Sequence, residues 1–199
     1  MFVMKRILAT LVAGACVLGV TQGTAAGQIQ IQVSTTVVIN ELSPDGPNGA
    51  LDEFLEIRNV SGVPQDLTGV RVRVQTAIPS CQVVLVLPLD GFVLARAGSP
   101  GDFLVLTGPD FSSTVDVDAQ VLSLGVELLP ARGSATLFTG NSRVDAVAWA
   151  PPQLGTCPGE GRPARTSPLG GSLSRDVLGT DTDDNRTDFH IARRSAGSE

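Results

Sequence analysis

The sequence predicts an all-β protein folded as a two-sheet sandwich of about eight or nine short strands. Two observations point to this fold class. Short runs rich in β-branched and apolar residues alternate with Gly, Pro, Asp and Asn turns over residues 36–191. Almost none of that range shows the apolar periodicity of an amphipathic helix. A single domain is therefore expected, long enough to bury a substantial core.

The N-terminal segment, residues 1–26, is predicted to be a secretory signal peptide that is cleaved. Lys5 and Arg6 form a basic head, an apolar run follows, and Thr24-Ala25-Ala26 offers small residues for cleavage. The apolar run is too short and wrongly flanked to be a membrane anchor. We therefore expect a secreted protein, extracellular or at the cell surface, with no membrane span after signal removal.

The strands follow in order, each bounded by turn residues. Residues 27–35 are predicted to be a linker or an edge strand. The predicted strands after them are Thr36–Glu41, Glu53–Asn59, Gly69–Gln75, Cys81–Leu87, Phe92–Arg96, Phe103–Thr107, Ser134–Thr139 and Arg143–Trp149, with Val121–Leu129 ambiguous. In Gly69–Gln75, valine alternates with polar residues, which predicts one buried and one solvated face. Cys81–Leu87 is continuously apolar, which predicts a central strand covered on both faces. Residues 192–199 are polar and predicted to fray.

Several of these motifs occur in an order that is itself informative. They are Val38–Glu41, Glu53–Asn59, Asp66–Gly69, Phe103–Leu106, Val144–Trp149, Gly171–Arg175, Asp181–Asn185 and Asp188-Phe189. Their order and spacing resemble the lamin-tail domain family in its bacterial secreted form. The resemblance implies an immunoglobulin-like antiparallel β-sandwich over residues 36–191. It also implies a binding or scaffolding module rather than an enzyme, and it offers no catalytic residues.

The cysteines predict one disulfide. Cys16 leaves with the signal peptide, so Cys81 and Cys157 remain as an even pair in an oxidising compartment. His190, the only histidine in the sequence, provides little support for a catalytic cysteine. Trp149, the only tryptophan, is expected to be buried.

A run of acidic and amide residues near the C-terminus is the candidate metal site. Asp181, Asp183 and Asn185 match the first three ligands of a calcium loop. Arg186 and Ala192 stand where that loop needs Gly and a bidentate Glu, so an EF-hand is excluded. No cofactor is expected, and an irregular calcium site at these residues is the alternative. The favoured interpretation is a hydrogen-bonded turn in which these side chains cap backbone amides.

The residues around that run suggest structural roles. Arg175 is predicted to clamp the fold by pairing with Asp181 or Asp188, which matters for stability only if the pair is buried. Phe189, which follows directly, is predicted to pack into the core.

Glu41, Glu53 and Glu56 raise the alternative of a small secreted hydrolase, because paired carboxylates perform general acid–base catalysis. Glu53 and Glu56 are three positions apart and should point to opposite faces of a strand. We therefore expect surface or sheet-rim positions for these side chains and no catalytic activity.

The charge balance limits the partners. Removing residues 1–26, which hold Lys5 and Arg6 and no acidic residue, takes the formal net charge from −6 to −8. Arg71 and Arg73 share a strand face, and with Arg58 on a neighbouring strand they would form a basic stripe. A net negative chain without stacking aromatics argues against nucleic acid as the partner. The leading hypothesis is a secreted non-catalytic module that binds an unknown protein or a cell-surface polymer. The alternatives are a calcium-dependent adhesion or glycan-binding module and, last, the hydrolase.

Overall fold

The computed structural model describes residues 33–149 and 157–198, and strands account for most of the regular structure in those ranges. The strands are β1 Val37–Ser43, β2 Phe54–Asn59, β3 Gln65–Asp66, β4 Val70–Thr76, β5 Gln82–Pro88, β6 Val93–Leu94, β7 Phe103–Thr107, β8 Gln120–Ser123, β9 Gly133–Thr139, β10 Ser142–Trp149, β11 Ser172–Ser174 and β12 His190–Ala192. A single helical turn, α1, spans Asn185–Asp188.

The strands form two main sheets. One has six strands in the order β12-β11-β1-β2-β7-β8, and the other has four in the order β10-β9-β4-β5. The short strands β3 and β6 pair separately. All pairs are antiparallel except β7 with β8, which is parallel. The predicted all-β sandwich is thus confirmed, with more strands in the described residues than the sequence indicated.

The core lies between the two sheets. Val72 and Val74 of β4 are fully buried, whereas Arg71 and Arg73 between them are exposed, as the alternating pattern predicted. The valines belong to one apolar cluster with Ile57 of β2 in the other sheet. That cluster also contains Trp149, which is 1% exposed as expected and whose indole N–H donates to the carbonyl of Pro130 over 3.0 Å.

The prediction that Cys81–Leu87 is a central, doubly covered strand is wrong. Among the described residues, strand β5 is the outer strand of the four-stranded sheet and pairs only with β4. Val83, Val84 and Val86 are 52%, 54% and 49% exposed. A continuous apolar run indicates burial on both faces only when other elements cover both faces, and nothing local in the sequence reports that cover.

The prediction that residues 192–199 fray is also wrong for the residues described. Ala196 is 2% exposed and packs with Phe54 and Val105 in a second apolar cluster. The carbonyl of Ala196 accepts the N–H of Asp116 at 3.0 Å. Backbone and hydroxyl groups of the tail donate to buried carboxylates, as described below.

Cys81 and Cys157 form the predicted disulfide, with Cα atoms 5.2 Å apart and 76 positions between them in sequence. Residues 33–35 are not part of a strand. The predicted signal peptide and residues 27–32 lie outside the described residues. In the described part of the chain, no helix is both long and apolar enough to cross a membrane.

Candidate functional site

Arg175 lies directly after β11 and is the centre of a buried ionic cluster. One terminal nitrogen, Nη1, is 3.0 Å from a carboxylate oxygen of Asp188 and 3.4 Å from one of Asp181. The other, Nη2, donates to Asp145 Oδ1 on β10 at 2.9 Å. All four side chains are completely buried. The predicted clamp is therefore confirmed, and it holds both predicted aspartates and a third.

The same guanidinium also joins the two sheets. Its Nε donates to the carbonyl of Ile39 on β1 at 3.0 Å, and Nη1 donates to the carbonyl of Thr180 at 2.7 Å. Its planar face lies 4.7 Å from the ring centre of Phe189, a cation–π contact. Phe189 is 2% exposed and belongs to the main core, as predicted.

Glu160 adds a further carboxyl group to the cluster. Its Oε2 is 3.9 Å from Arg175 Nη2, and its Oε1 accepts the N–H of Ala146 at 3.1 Å. Oxygens of Asp145, Glu160 and Asp181 all lie within 4.8 Å of one another. Burial raises the pKa of Glu160, and the neighbouring negative charge of Asp145 raises it further. The protonated form of Glu160 is thus favoured in this cluster.

Asp183 is held in an unusual position beside the cluster. Its φ is 56°, in the left-handed region, and its side chain is 7% exposed. Both carboxylate oxygens are buried without a hydrogen-bond partner among the described residues. Arg143 Nη2 lies 3.6 Å from Asp183, and Arg143 Nε lies 3.7 Å from Glu160, so one guanidinium faces both carboxyl groups. Burial and the charge of Asp181 raise the pKa of Asp183.

Asn185 does not belong with the predicted calcium ligands. Its Oδ1 accepts the N–H groups of Ala148 and Glu160, each at 3.0 Å. Its Nδ2 donates to the carbonyl of Ala146 at 2.7 Å. Both acceptor positions of the amide oxygen are therefore used inside the protein, which corrects the predicted set of Asp181, Asp183 and Asn185.

Sequence reasoning missed Asp145 and Glu160. Asp145 carried a signal, because a charged residue interrupts the otherwise apolar end of strand β10. Glu160 carried none, since it lies in a loop rich in Gly and Pro whose course depends on contacts far away in sequence.

A second acidic site lies under the C-terminal tail. Glu41 on β1 is directly opposite Glu56 on β2, and both side chains are fully buried. Ser195 donates its N–H and hydroxyl to Glu41 at 3.1 and 2.7 Å, and the N–H of Gly197 donates to Glu56 at 2.5 Å. Burial raises the pKa of Glu56 to about 8, with the charge of Glu41 as the second cause. Burial also raises the pKa of Glu41.

Glu53 is buried at a separate place. Its carboxylate accepts the N–H of Leu128 and, at 2.5 Å, the N–H of Leu129, and burial raises its pKa to about 7. The predicted surface or rim positions of Glu41, Glu53 and Glu56 are therefore wrong. Backbone donors from distant segments satisfy these carboxylates and allow them inside. Glu53 and Glu56 bind different segments and do not share a site.

An apolar groove of about 520 Å³ lies against β5 and the end of β4. Its lining residues are Thr76, Val84, Leu85, Val126, Glu127, Leu128 and Pro130. Val126, which lines the groove, is 56% exposed, and Ile78, two residues after the lining Thr76, is 54% exposed. Exposed apolar surface of this kind, beside a strand that has no outer neighbour in the described part of the chain, is typical of a contact surface.

The predicted arginine stripe does not form. Arg71 and Arg73 are exposed on β4, but Arg58 is buried in the other sheet, where Nη1 donates to the carbonyl of Val177 at 2.8 Å. The guanidinium of Arg73 lies 4.4 Å from the ring centre of Phe138. The exposed basic surface at this place is thus limited to two residues.

Comparison with known proteins finds a distant structural similarity for this chain. No family model matches it, and no curated protein matches it significantly. Among solved structures, it is similar to a DUF4876 family protein from Bacteroides thetaiotaomicron, with 11% sequence identity and a TM-score of 0.48. The match covers 82% of this chain and 72% of that chain.

Proposed function

We propose that this protein is a secreted, non-catalytic binding module that takes up an extended segment of a partner protein along the outer edge of β5. The single observation that carries the proposal is the exposed, apolar and uncharged edge of that strand. The cysteine pair and the predicted signal peptide support a site of action outside the cell or at its surface.

Strand β5 lacks most of the usual protections of a sheet edge. Its seven residues, Gln82–Pro88, include no charged side chain, and its only proline is the last residue. Natural edge strands are commonly shortened, charged, bulged or covered, because an open edge invites pairing with another chain. A bulge lies between β4 and β5, but Val83, Val84 and Val86 stay about half exposed. An exposed edge of this length is suited to β-strand addition, in which main-chain hydrogen bonds provide affinity.

The groove beside β5 defines the chemistry of the occupant. Its walls are mainly aliphatic, from residues such as Val84, Val126 and Leu128, and Glu127 lies at its rim. Alternate side chains of an added strand point to the same face, so the segment should place apolar residues at every second position. A basic side chain beside them would pair with Glu127.

The resemblance to lamin-tail domains supports the same class of function, because it implies a binding or scaffolding module. The hydrolase alternative is weaker. Glu53 and Glu56 are 0% exposed, and each carboxylate already binds backbone N–H groups. Neither oxygen pair is open to a substrate in this conformation.

The test uses peptides selected from a random extended-peptide library against the wild-type protein without residues 1–26. We expect selected peptides to have alternating apolar residues and to protect β5 amides from hydrogen exchange. Val84→Lys and Val86→Lys should each weaken binding by tenfold or more, since each puts a charge into the groove or onto the strand. Val121→Lys, on the outer strand β8 of the other sheet, is the matched control and should bind normally.

Two results would overturn the proposal. The selected peptides could bind the lysine variants of β5 as tightly as the wild type. Alternatively, sedimentation could show that wild-type chains pair with each other through β5, in which case the occupant is a second copy.

A further inference from the structure

The groove beside β5 has one wall that is not a strand. Its lining there includes Val126, Leu128 and Pro130, and this wall segment, residues 126–130, has no regular secondary structure. In the part of the chain that the structure describes, only two main-chain N–H groups of the wall segment donate to protein acceptors, those of Leu128 and Leu129. The shape of this wall therefore depends on the group that accepts those two donors.

Both N–H groups donate to the carboxylate of Glu53. Its Oε1 accepts the N–H of Leu128, and its Oε2 accepts the N–H of Leu129 at 2.5 Å. Glu53 is 0% exposed, and its main-chain carbonyl accepts the N–H of Gly108 at 2.9 Å. A Cβ on Gly108 would lie only 2.5 Å from Cγ of Glu53, so a larger residue at 108 would displace the glutamate. Glu53 is thus a closely packed support for the wall segment.

We propose that Glu53 is a positioning residue for the groove beside β5, and that its ionised carboxylate fixes the wall segment in the shape that takes up the partner's extended segment. This role rests on the binding function proposed above and adds the condition under which binding is tight. Glu53 acts through the main chain of Leu128 and Leu129, and not by contact with the partner.

Only the ionised form of Glu53 can hold both N–H groups. A carboxylate accepts on both oxygens, whereas protonation turns one oxygen into an O–H donor. Protonation of Glu53 therefore leaves the N–H of Leu128 or Leu129 without its acceptor. A buried N–H group without a partner is unfavourable, so the wall segment should shift until that group finds another acceptor.

The charge of Glu53 changes in the neutral pH range. Burial raises the pKa of Glu53 to about 7, although the N–H groups of Leu128 and Leu129 lower it. Among the described residues, the charged group that acts on Glu53 is Glu127 at the rim of the groove, and its charge raises the pKa of Glu53 further. Near neutral pH the protonated and ionised forms of Glu53 are therefore both populated.

Affinity and stability should change in opposite directions with pH. Because the pKa of Glu53 is raised from 4.5 to about 7, the stability that this group contributes falls as the pH rises through that range. Affinity should rise over the same range, because the ionised form holds the wall segment. Glu53 is already 0% exposed, so an occupant of the groove adds little to its burial. A glutamate that only supported the fold would make affinity and stability fall together.

A first measurement tests the support without a partner. In the wild-type chain without residues 1–26, the NMR signals of the Leu128 and Leu129 amide protons should shift with pH, with a midpoint at about 7. Glu53→Gln should remove this titration, because a neutral amide replaces the carboxylate. Glu56→Gln is the matched control. It makes the same change at another buried glutamate, one that binds the C-terminal tail, and should leave the titration in place.

The second measurement is the affinity of a peptide selected against the wild-type protein, by calorimetry at about pH 5.5 and about pH 8.5. The peptide contains no histidine and has a blocked N-terminus, so it does not itself titrate in this range. We expect binding to be about threefold to tenfold tighter at the higher pH, the equivalent of about one hydrogen bond. Glu53→Gln should bind weakly at both pH values, whereas Glu56→Gln and His190→Gln should keep the wild-type ratio.

The possible outcomes separate this role of Glu53 from the binding function. A peptide that binds β5 equally well or less well at the higher pH would overturn the role and leave the function standing. Wild-type pH dependence in Glu53→Gln would do the same. If Glu53→Gln does not fold, the amide titration decides, and signals of Leu128 and Leu129 that stay constant with pH overturn the role. If no selected peptide binds at β5, the binding function is wrong and this role with it.

Discussion

The burial of Arg175 depends on several carboxylates that pair with its guanidinium. A guanidinium without solvent contact is stable only where carboxylates and carbonyls surround it, and here Asp145, Asp181 and Asp188 do so. These partners lie on β10 and in the turn before β12. The sequence suggested two of them because they are close to Arg175 along the chain. Asp145 could not be assigned as a partner, since its closeness to Arg175 depends on how the sheets pack.

Replacing Arg175 should destabilise the protein strongly. Arg175→Met leaves buried carboxylates without their cation, so we expect the free energy of unfolding to fall by about 3 to 5 kcal/mol. Urea denaturation followed by Trp149 fluorescence measures this change. Arg162→Met is the control, because Arg162 is 68% exposed in its pair with Asp184 and should contribute about 1 kcal/mol or less. A loss below about 1 kcal/mol in Arg175→Met would show that the cluster is not the clamp described here.

At the scale of elements, the positions of the strands in the sequence were predictable, but which strands lie side by side in a sheet was not. β4 was correctly predicted with one buried and one solvated face, because alternation is a local property. β5 was placed wrongly at the centre of a sheet, because an apolar run does not say which strands flank it. The buried Glu41, Glu53 and Glu56 were missed for a similar reason. Their donors lie at residues 128–129 and 195–197, far from them in sequence.

The contact between the C-terminal tail and strands β1 and β2 should depend on pH. The pKa of Glu56 is raised from its ordinary 4.5 to about 8, so the folded state holds a proton that the unfolded state loses. Stability from this group is complete below about pH 4.5 and falls as the pH rises towards 8, by about 1.4 kcal/mol per pH unit. The charged groups facing Glu56 are Glu41, which strengthens the effect, and Arg58, which opposes it.

Urea denaturation at several pH values between 5 and 8 tests this dependence. Glu56→Gln should make the fall in unfolding free energy with pH markedly shallower, whatever its effect on absolute stability. Asp118→Asn, an exposed carboxylate changed in the same way, should leave the slope as in the wild type. Equal slopes in Glu56→Gln and the wild type would contradict the raised pKa.

At the scale of the whole molecule, the disulfide is the only covalent link in the described residues between segments distant in sequence. Cys81 precedes β5, and Cys157 lies in the loop after β10. The bond therefore links the segments next to β5 and β10, which are the two outer strands of the four-stranded sheet. The pairing was predictable because two cysteines allow one bond. Where the bond lies in the fold was not, because the order of strands follows from long-range packing.

Removing the disulfide should lower the stability of the protein, because the unfolded chain gains conformational entropy without the cross-link. Closing a loop of 76 residues is worth roughly 4 kcal/mol in the chain-entropy model, an upper figure. Cys81→Ser with Cys157→Ser should therefore lower the free energy of unfolding by about 2 to 4 kcal/mol in urea denaturation. Reduction of the wild type should have a similar effect. Unchanged stability in both experiments would mean that the bond constrains nothing in solution.

The position of β1 has a consequence for how the chain is made. β1 lies between β2 and β11, pairing Glu41 with Ser174, and its glutamate is covered only when Ser195 arrives. Synthesis therefore runs more than a hundred residues past β1 before its second partner, β11, exists. Until then, apolar surface on the early strands stays exposed to solvent. Folding of this sheet is therefore expected to finish only after synthesis of the C-terminal residues.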